Sequence, residues 1–223
     1  MHYALSLLLG YIIGSLSPSA LISRLKKKNL RDMGTGNLGA TNTALNFGKA
    51  AGAVVMLFDI TKGAGAVLLA KALFPEVALL SGLISGSAAV IGHIFPFYMK
   101  FKGGKGLAAY GGMVLATDPS IFLFLLCLGL ICMLIFDHGI ALTLSASILF
   151  PALMTLKYND IPVAAVSSAI SIILIIRHSD NIMRAKKNRE IKVRAFFKSI
   201  FGDKDENLTK YNTQKEEKQQ KKG

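Results

Sequence analysis

Three short segments carry most of the side chains in this chain that are suited to chemistry. The first is Gly34-Thr35-Gly36-Asn37-Leu38-Gly39-Ala40-Thr41-Asn42. Its closely spaced glycines allow a tight turn and a close backbone approach to a ligand, with N–H groups free to face an anion. Thr35, Asn37, Thr41 and Asn42 add donors without charge. The second is Lys100-Phe101-Lys102-Gly103-Gly104-Lys105-Gly106, and the third is Arg177-His178-Ser179-Asp180-Asn181-Ile182-Met183-Arg184. Backbone and amide donors, lysine, arginine and one imidazole together suit a phosphate group. The segments hold no paired carboxylates. The four histidines, His2, His93, His138 and His178, are scattered, so neither a metal nor another cofactor is expected.

Each motif has competing readings. Gly34-x-Gly36-x-x-Gly39 matches a dinucleotide fingerprint literally, but that fingerprint needs a preceding strand, and Lys26 to Met33 stands there instead. Phe101 to Gly106 lacks the first glycine and the final hydroxyl residue of a Walker sequence; it reads as a general anion loop or as a juxtamembrane turn. His178 alone reads as a helix-end cap, and beside Arg177 and Asn181 equally well as a catalyst. Asp59 and Lys62, three apart on a helix, are expected to neutralise each other in the bundle. His93, just before Phe95-Pro96, reads as structural. Cys127 and Cys132 lie in an apolar run, five residues apart, and are expected to stay unpaired. Ser85 and Ser87 with a distant histidine are too thin a basis for an intramembrane protease.

The elements that must position these segments are apolar. Hydrophobic residues make up 52% of the chain and charged residues 17%, and the mean hydropathy is +0.47. That composition predicts an all-α, polytopic integral membrane protein. Spans are expected at Met1–Ile22, Ala51–Leu73, Val77–Phe95, Ser120–Phe136, Ile140–Leu156 and Ile161–Ile176. The first has no basic head and is followed by Arg24 and Lys26 to Lys28, so it reads as retained rather than cleaved. Leu107–Ala116 is too short to cross alone as regular helix. It is extended by the glycine-lysine loop or shortened against protein. Counted with it, the crossings number seven. With the amino terminus outside and the carboxyl terminus cytoplasmic, only Lys71 and Lys157 of the 26 Lys and Arg residues fall near the outside. This bias accounts for the net charge of +13 without nucleic acid. The expected organisation is a membrane domain over 1–184, a basic and interfacial or solvated segment over 185–202, and a disordered charged tail over 203–223.

The motifs resemble those of the PlsY family, the bacterial acyl-phosphate:glycerol-3-phosphate acyltransferases, over about residues 1 to 184. Thr35 to Asn42 resembles the family's first motif, usually written with serine first. Lys102 to Gly106 resembles the second, and His178-x-x-Asn181-Ile182-x-Arg184 the third. Asp59-x-x-Lys62-Gly63 and Gly92-His93-x-x-Pro96 match as well. The resemblance implies transfer of a fatty acyl group from acyl phosphate to the 1-hydroxyl of glycerol 3-phosphate, giving lysophosphatidic acid and phosphate. It implies a catalytic set of Lys105, His178 and Asn181. It further implies a substrate-binding set of Thr35, Gly36, Asn37, Gly39, Thr41, Asn42, Gly103, Gly104, Thr143 and Arg184. The implied setting is the cytoplasmic side of a bacterial inner membrane, with the lipid bilayer and an acyl-phosphate-producing enzyme as partners.

The chain also departs from the family pattern. Leu45 stands where an arginine is common, and leucine cannot replace a bidentate guanidinium. Ile140-Ala141 stands where the family has an Arg-Tyr pair, Thr143 where it has serine, and Asp137-His138 is atypical. Two other functions stay open on sequence alone. One is a degenerate, non-catalytic relative that binds phosphorylated lipid or a partner. The other is a small-anion transporter, which the clustering of polar motifs at one end of the spans disfavours.

Overall fold

A computed structural model describes residues 1–201; the tail expected to be disordered, 203–223, lies outside the described residues. Among the described residues there are helices and no strand. They are α1 (His2–Ser15), α2 (Pro18–Leu25), α3 (Ala40–Phe47), α4 (Lys49–Leu73), α5 (Ala78–Ile94), α6 (Leu107–Thr117), α7 (Pro119–Phe136), α8 (Ile140–Tyr158), α9 (Ile161–Arg177), α10 (Ser179–Lys186) and α11 (Val193–Phe201).

Five segments are long and apolar enough to cross a membrane: His2–Leu25, Lys49–Leu73, Pro75–Met99, Pro119–Phe136 and Ile140–Tyr158. The pair α9 and α10, bent by 51°, meets the same test when taken together. Helix α6 has 11 residues; at a rise of about 1.5 Å per residue it covers roughly half of a ~30 Å hydrocarbon layer. The chain ahead of it, Lys102 to Lys105, is not helical, so of the two expectations for this segment the shortened helix against protein is the one observed.

Helix α5 is the middle of the bundle. Helices α1 and α4 lie along it, and α6 and α9 touch it; α7, α8 and α9 continue as a row on the far side. Small residues allow this crowding. A Cβ on Gly10 would lie 2.0 Å from the Ser85 carbonyl oxygen, and one on Gly14 2.0 Å from that of Ala89, so α1 can approach α5 only with glycine at both places. Apolar side chains fill the rest: Val67, Leu83, Val90, Met113, Phe150, Met154 and Leu174 are buried in one cluster, and the Tyr110 hydroxyl meets Ser171 Oγ at 3.0 Å. The outward faces of α4 and α7 expose Leu57, Phe58, Leu68, Phe124, Ile131 and Ile135, as a lipid-facing surface does.

The first expected span is broken. Pro18 has no N–H and Ser17 caps α2, accepting from the Ala20 N–H, so α1 stops at Ser15. The carbonyls this frees are taken by side chains. Tyr98 donates to the Ser15 oxygen at 2.7 Å, and Lys62 Nζ to the Leu16 oxygen at 2.7 Å. Lys62 also pairs with Asp59 at 2.7 Å and lies 2.9 Å from His93 Nδ1, itself 3.2 Å from the Asp59 carboxylate. The neutralising pair foreseen on α4 is therefore a buried three-residue cluster that ties α4 to α1 and α5. At the opposite end of the bundle, Asp118 caps α7 and binds Lys157 at 2.5 Å and the Tyr158 hydroxyl at 2.7 Å.

Breaking a buried ion pair from one side leaves a bare charge and costs about 3–5 kcal/mol. Lys62→Met is expected to lower the thermal unfolding midpoint of the detergent-solubilised protein clearly. The double variant Lys62→Met with Asp59→Asn is expected to recover part of that loss. Unfolding followed by fluorescence checks both.

Candidate functional site

The glycine-asparagine stretch begins as a loop and ends as a helix. Gly34 and Gly36 have φ of +51° and +73°, a conformation other residues rarely adopt. Helix α3 then starts at Ala40, so Thr41 and Asn42 lie in its first turn rather than in the loop where a reading of the glycines alone puts them. Asn42 is buried and fully engaged. Its Nδ2 donates to the carbonyls of Leu30 (3.0 Å), Met33 (3.1 Å) and Asn37 (2.9 Å), and its Oδ1 accepts from the Thr35 N–H (2.9 Å) and Asn46 Nδ2 (3.0 Å). It shapes the loop and keeps no side-chain N–H to offer a ligand. Thr35 and Thr41 are exposed; Gly36, Asn37 and Gly39 are half-buried. The first bond within α3 runs from the Thr43 N–H to the Gly39 oxygen, which leaves the N–H groups of Ala40, Thr41 and Asn42 ahead of it, at the positive end of the helix.

The glycine-lysine loop is held on the end of α5. The Gly103 N–H donates to the Ile94 oxygen at 2.9 Å and the Gly104 N–H to the His93 oxygen at 3.1 Å. A side chain on Gly103 would fall 2.0 Å from the His93 oxygen, and one on Gly104 2.2 Å from His93 Nε2. The loop therefore lies flat on the helix end, over the imidazole of the Asp59–Lys62–His93 cluster. Gly106, with φ of +91°, turns the chain into α6. Arg31, ahead of the first motif, donates to the Lys102 carbonyl and links the two loops.

Lys105 projects from this loop to the junction of α9 and α10, where its Nζ meets Asn181 Oδ1. Around it stand Arg177, whose guanidinium reaches the Gly104 oxygen at 3.4 Å and lies 5.6 Å from the centre of the Phe95 ring, and Arg184. Arg177 Nε is buried with no protein partner. His178 is buried, and its Nδ1 lies 2.9 Å from the Leu174 oxygen. A carbonyl oxygen only accepts, so Nδ1 carries the proton and Nε2 presents a lone pair. Burial, helped by the nearby Lys105 and Arg177 charges, pushes the imidazole down to about 4. Burial and the Arg184 guanidinium push the Lys105 ammonium down to about 8.

Lys105, His178, Asn181 and Arg184 thus come together from segments more than 70 residues apart in sequence, with Gly103 and Gly104 beneath them. Thr143 is buried on α8, where its carbonyl accepts from Ser147 Oγ at 2.7 Å; no hydrogen bond among the described residues joins it to this cluster. Leu45 is half-buried on α3 and Ile140 is buried at the start of α8. One residue that motif reading passes over is present as well. The Glu190 carboxylate accepts from Asn181 Nδ2 and, at 2.7 Å, from Arg184 Nε. The only signal in the sequence is that Glu190 is the lone acid in the basic stretch after Asp180.

Residues 4–188 match a family model described as glycerol-3-phosphate acyltransferase. A glycerol-3-phosphate acyltransferase of Macrococcus caseolyticus (strain JCSC5402) is 36% identical over 196 residues, covering 86% of this chain and 98% of the relative. One from Streptococcus thermophilus (strain CNRZ 1066) is 38% identical over 199 residues, covering 85% and 92%. One from Staphylococcus aureus (strain Newman) is 37% identical over 201 residues, covering 87% and 99%. Among solved structures, the glycerol 3-phosphate form of PlsY (YgiH), an integral membrane glycerol 3-phosphate acyltransferase, superposes with a TM-score of 0.78 at 30% identity, covering 86% of this chain and 96% of that one. Its lysophosphatidic acid form gives 0.76 at 29% identity, covering 86% and 95%. A helical bundle with apolar outer faces, a cationic cluster built from the second and third motifs, and matches over nearly the whole length of these relatives agree: the chain belongs to the glycerol-3-phosphate acyltransferase family.

Proposed function

We propose that this protein transfers a fatty acyl group from acyl phosphate to the 1-hydroxyl of glycerol 3-phosphate, releasing lysophosphatidic acid and inorganic phosphate. The observation that carries the proposal is the meeting of Lys105 with Asn181, beside His178, Arg177 and Arg184, on a glycine loop fixed to the end of a buried helix. Such a half-buried cluster of cations with amide donors suits a phosphate dianion.

The donor is a mixed anhydride and is already activated. The protein's tasks are orientation and charge neutralisation rather than nucleophilic attack of its own. The acceptor hydroxyl adds to the acyl carbonyl, the ester C–O bond forms, the acyl–phosphate C–O bond breaks, and the hydroxyl proton leaves. His178, with an imidazole near 4, is a weak base at neutral pH, and its Nε2 lone pair serves to orient the hydroxyl. The departing phosphate is the stronger proton acceptor. Thr35, the loop glycines and the free N–H groups at the start of α3 hold the donor phosphate, while Lys105, Asn181 and Arg184 hold that of the acceptor. No cofactor takes part in this scheme.

In the membrane we place the first and second loops, the 137–139 turn and the α9–α10 junction at the cytoplasmic face of a bacterial inner membrane. Support comes from the gathering of basic residues at that end. Counting α6 with its buried loop as a crossing makes seven, with the amino terminus outside. The basic segment beyond Arg184 then lies over anionic headgroups, and an acyl-phosphate-producing enzyme supplies the donor from the same side.

The direct test is purified protein with palmitoyl phosphate and glycerol 3-phosphate, followed by phosphate release. Release well above that of Lys105→Ala is expected; equal rates would overturn the reading. His178→Ala and Asn181→Ala are each expected to lose at least ~10-fold, as removal of a positioned polar group does.

The Lys105 ammonium binds phosphate only when charged, and its value near 8 places deprotonation within reach. The acceptor's phosphate is already a dianion above about pH 7. The KM for glycerol 3-phosphate is therefore expected to rise between pH 7 and 9. Lys105→Arg, which cannot deprotonate, should show a flat KM over that range.

A further inference from the structure

The family match ends at residue 188, and the described chain continues to Phe201. That extension lies across the cytoplasmic end of the bundle and is fastened at three places. Glu190 is bound to Asn181 and Arg184. The Val193 and Arg194 N–H groups donate to the Asp137 carbonyl at 3.1 Å and its carboxylate at 3.0 Å, beside a bridge between His138 and Lys192. Helix α11 then reaches α3. These docking points coincide with departures from the family pattern: Asp137-His138 is atypical, and α3 carries Leu45 in place of the usual arginine.

The Glu190 side chain is 13% exposed and turned inward. Its two oxygens take one amide and one guanidinium donor, the arrangement a phosphate would use there. Lys105 stands on the same amide. A carboxylate and a phosphate dianion cannot share these donors without strong repulsion at close range. Six basic residues flank Glu190 between Lys186 and Lys198, and no other acid does, so only this side chain of the segment can fill an anion site.

We propose that Glu190 is an acceptor-specificity residue contributed by the carboxyl-terminal extension: its carboxylate is an internal ligand of the subsite for the acceptor's phosphate. This rests on the acyltransferase reading above for the identity of the acceptor. Glycerol 3-phosphate must displace the carboxylate before Asn181 and Arg184 are free, and the Asp137 anchor keeps the carboxylate close enough to rebind. The effect falls on acceptor affinity, because the two groups its carboxylate binds, Asn181 and Arg184, are those assigned to the acceptor's phosphate.

The test uses the full-length protein with saturating palmitoyl phosphate, and the variants Glu190→Gln and Asp137→Gly. Glycine keeps the left-handed backbone at residue 137, where φ is +54°, and removes the carboxylate that accepts from Arg194. Glu190→Gln is expected to lower the KM for glycerol 3-phosphate about three- to ten-fold with kcat changed less than about two-fold. Asp137→Gly should act in the same direction, more weakly, and serves if Glu190→Gln does not fold. An unchanged KM in both overturns the proposal. A raised KM overturns it too, since the carboxylate would then be orienting Asn181 and Arg184 for the substrate. Thermal stabilisation by glycerol 3-phosphate and by inorganic phosphate, measured without donor, separates the two readings. Stronger stabilisation of Glu190→Gln than of the parent, with no acyl transfer by either, would sink the transfer reading and leave the internal ligand standing. Transfer with equal stabilisation of both would do the reverse.

Discussion

Main-chain carbonyls that lose their helical partners inside a bilayer must find others from the protein, since hydrocarbon offers none. Much of this structure follows from where such carbonyls arise. Pro18 ends α1 and frees the oxygens of Ser15 and Leu16, and Tyr98 and Lys62 take them. Pro96 ends α5, and the Phe95 oxygen is taken by the Tyr11 hydroxyl at 2.8 Å. The His93 and Ile94 oxygens are taken by the N–H groups of Gly104 and Gly103. The glycine-lysine loop is thus held down by the same bonds that complete the helix beneath it.

That arrangement explains why the candidate site can be half-buried and rigid while built on a loop. A loop that caps a helix within a bundle has few conformations left, so Lys105 leaves it in a defined direction. The Asp59–Lys62–His93 cluster lies directly below. It joins three helices around one buried set of charges and places the His93 ring against Gly104. A residue without a role at the surface thereby bears on the geometry at the surface. Desolvation at the site does the rest: it makes charge on Lys105 easier to lose and protonation of His178 harder, and both become sensitive to whether an anion is present.

The family pattern and the departures from it occupy different parts of the molecule. Motif residues line the loops and the α9–α10 junction. The departures at Asp137-His138 and on α3 lie where the carboxyl-terminal extension is fastened. A site that lacks one arginine and meets a carboxylate from its own tail differs electrostatically from one that has the arginine and no tail. On the role proposed for Glu190, acceptor binding is the property on which such a difference acts.

The sequence alone determined the class of protein and the chemistry. Apolar runs, the cationic bias and three ordered motifs suffice for a helical membrane acyltransferase resemblance, because hydropathy and residue type are local quantities. It also placed the helix ends within a few residues, as for Ile161–Arg177, where Asp160 and Pro162 mark the start and the charged Arg177 the end. Only the tertiary structure decided the rest. The break at Ser17-Pro18 inside an otherwise uniform apolar run takes its meaning from Lys62, 46 residues beyond the Leu16 whose carbonyl it binds. Asn42 reads as one donor among several in a polar stretch, and proves to be the pivot of its loop because Leu30, Met33 and Asn37 fold back upon it. Glu190 lies beyond every motif, and nothing in its neighbours marks it as a ligand. Its partners Asn181 and Arg184 are near in sequence, and the segment that carries it is fastened to Asp137, 53 residues before it. Pairings of that kind depend on which surfaces the packed helices bring together, and residue type and local spacing do not encode them.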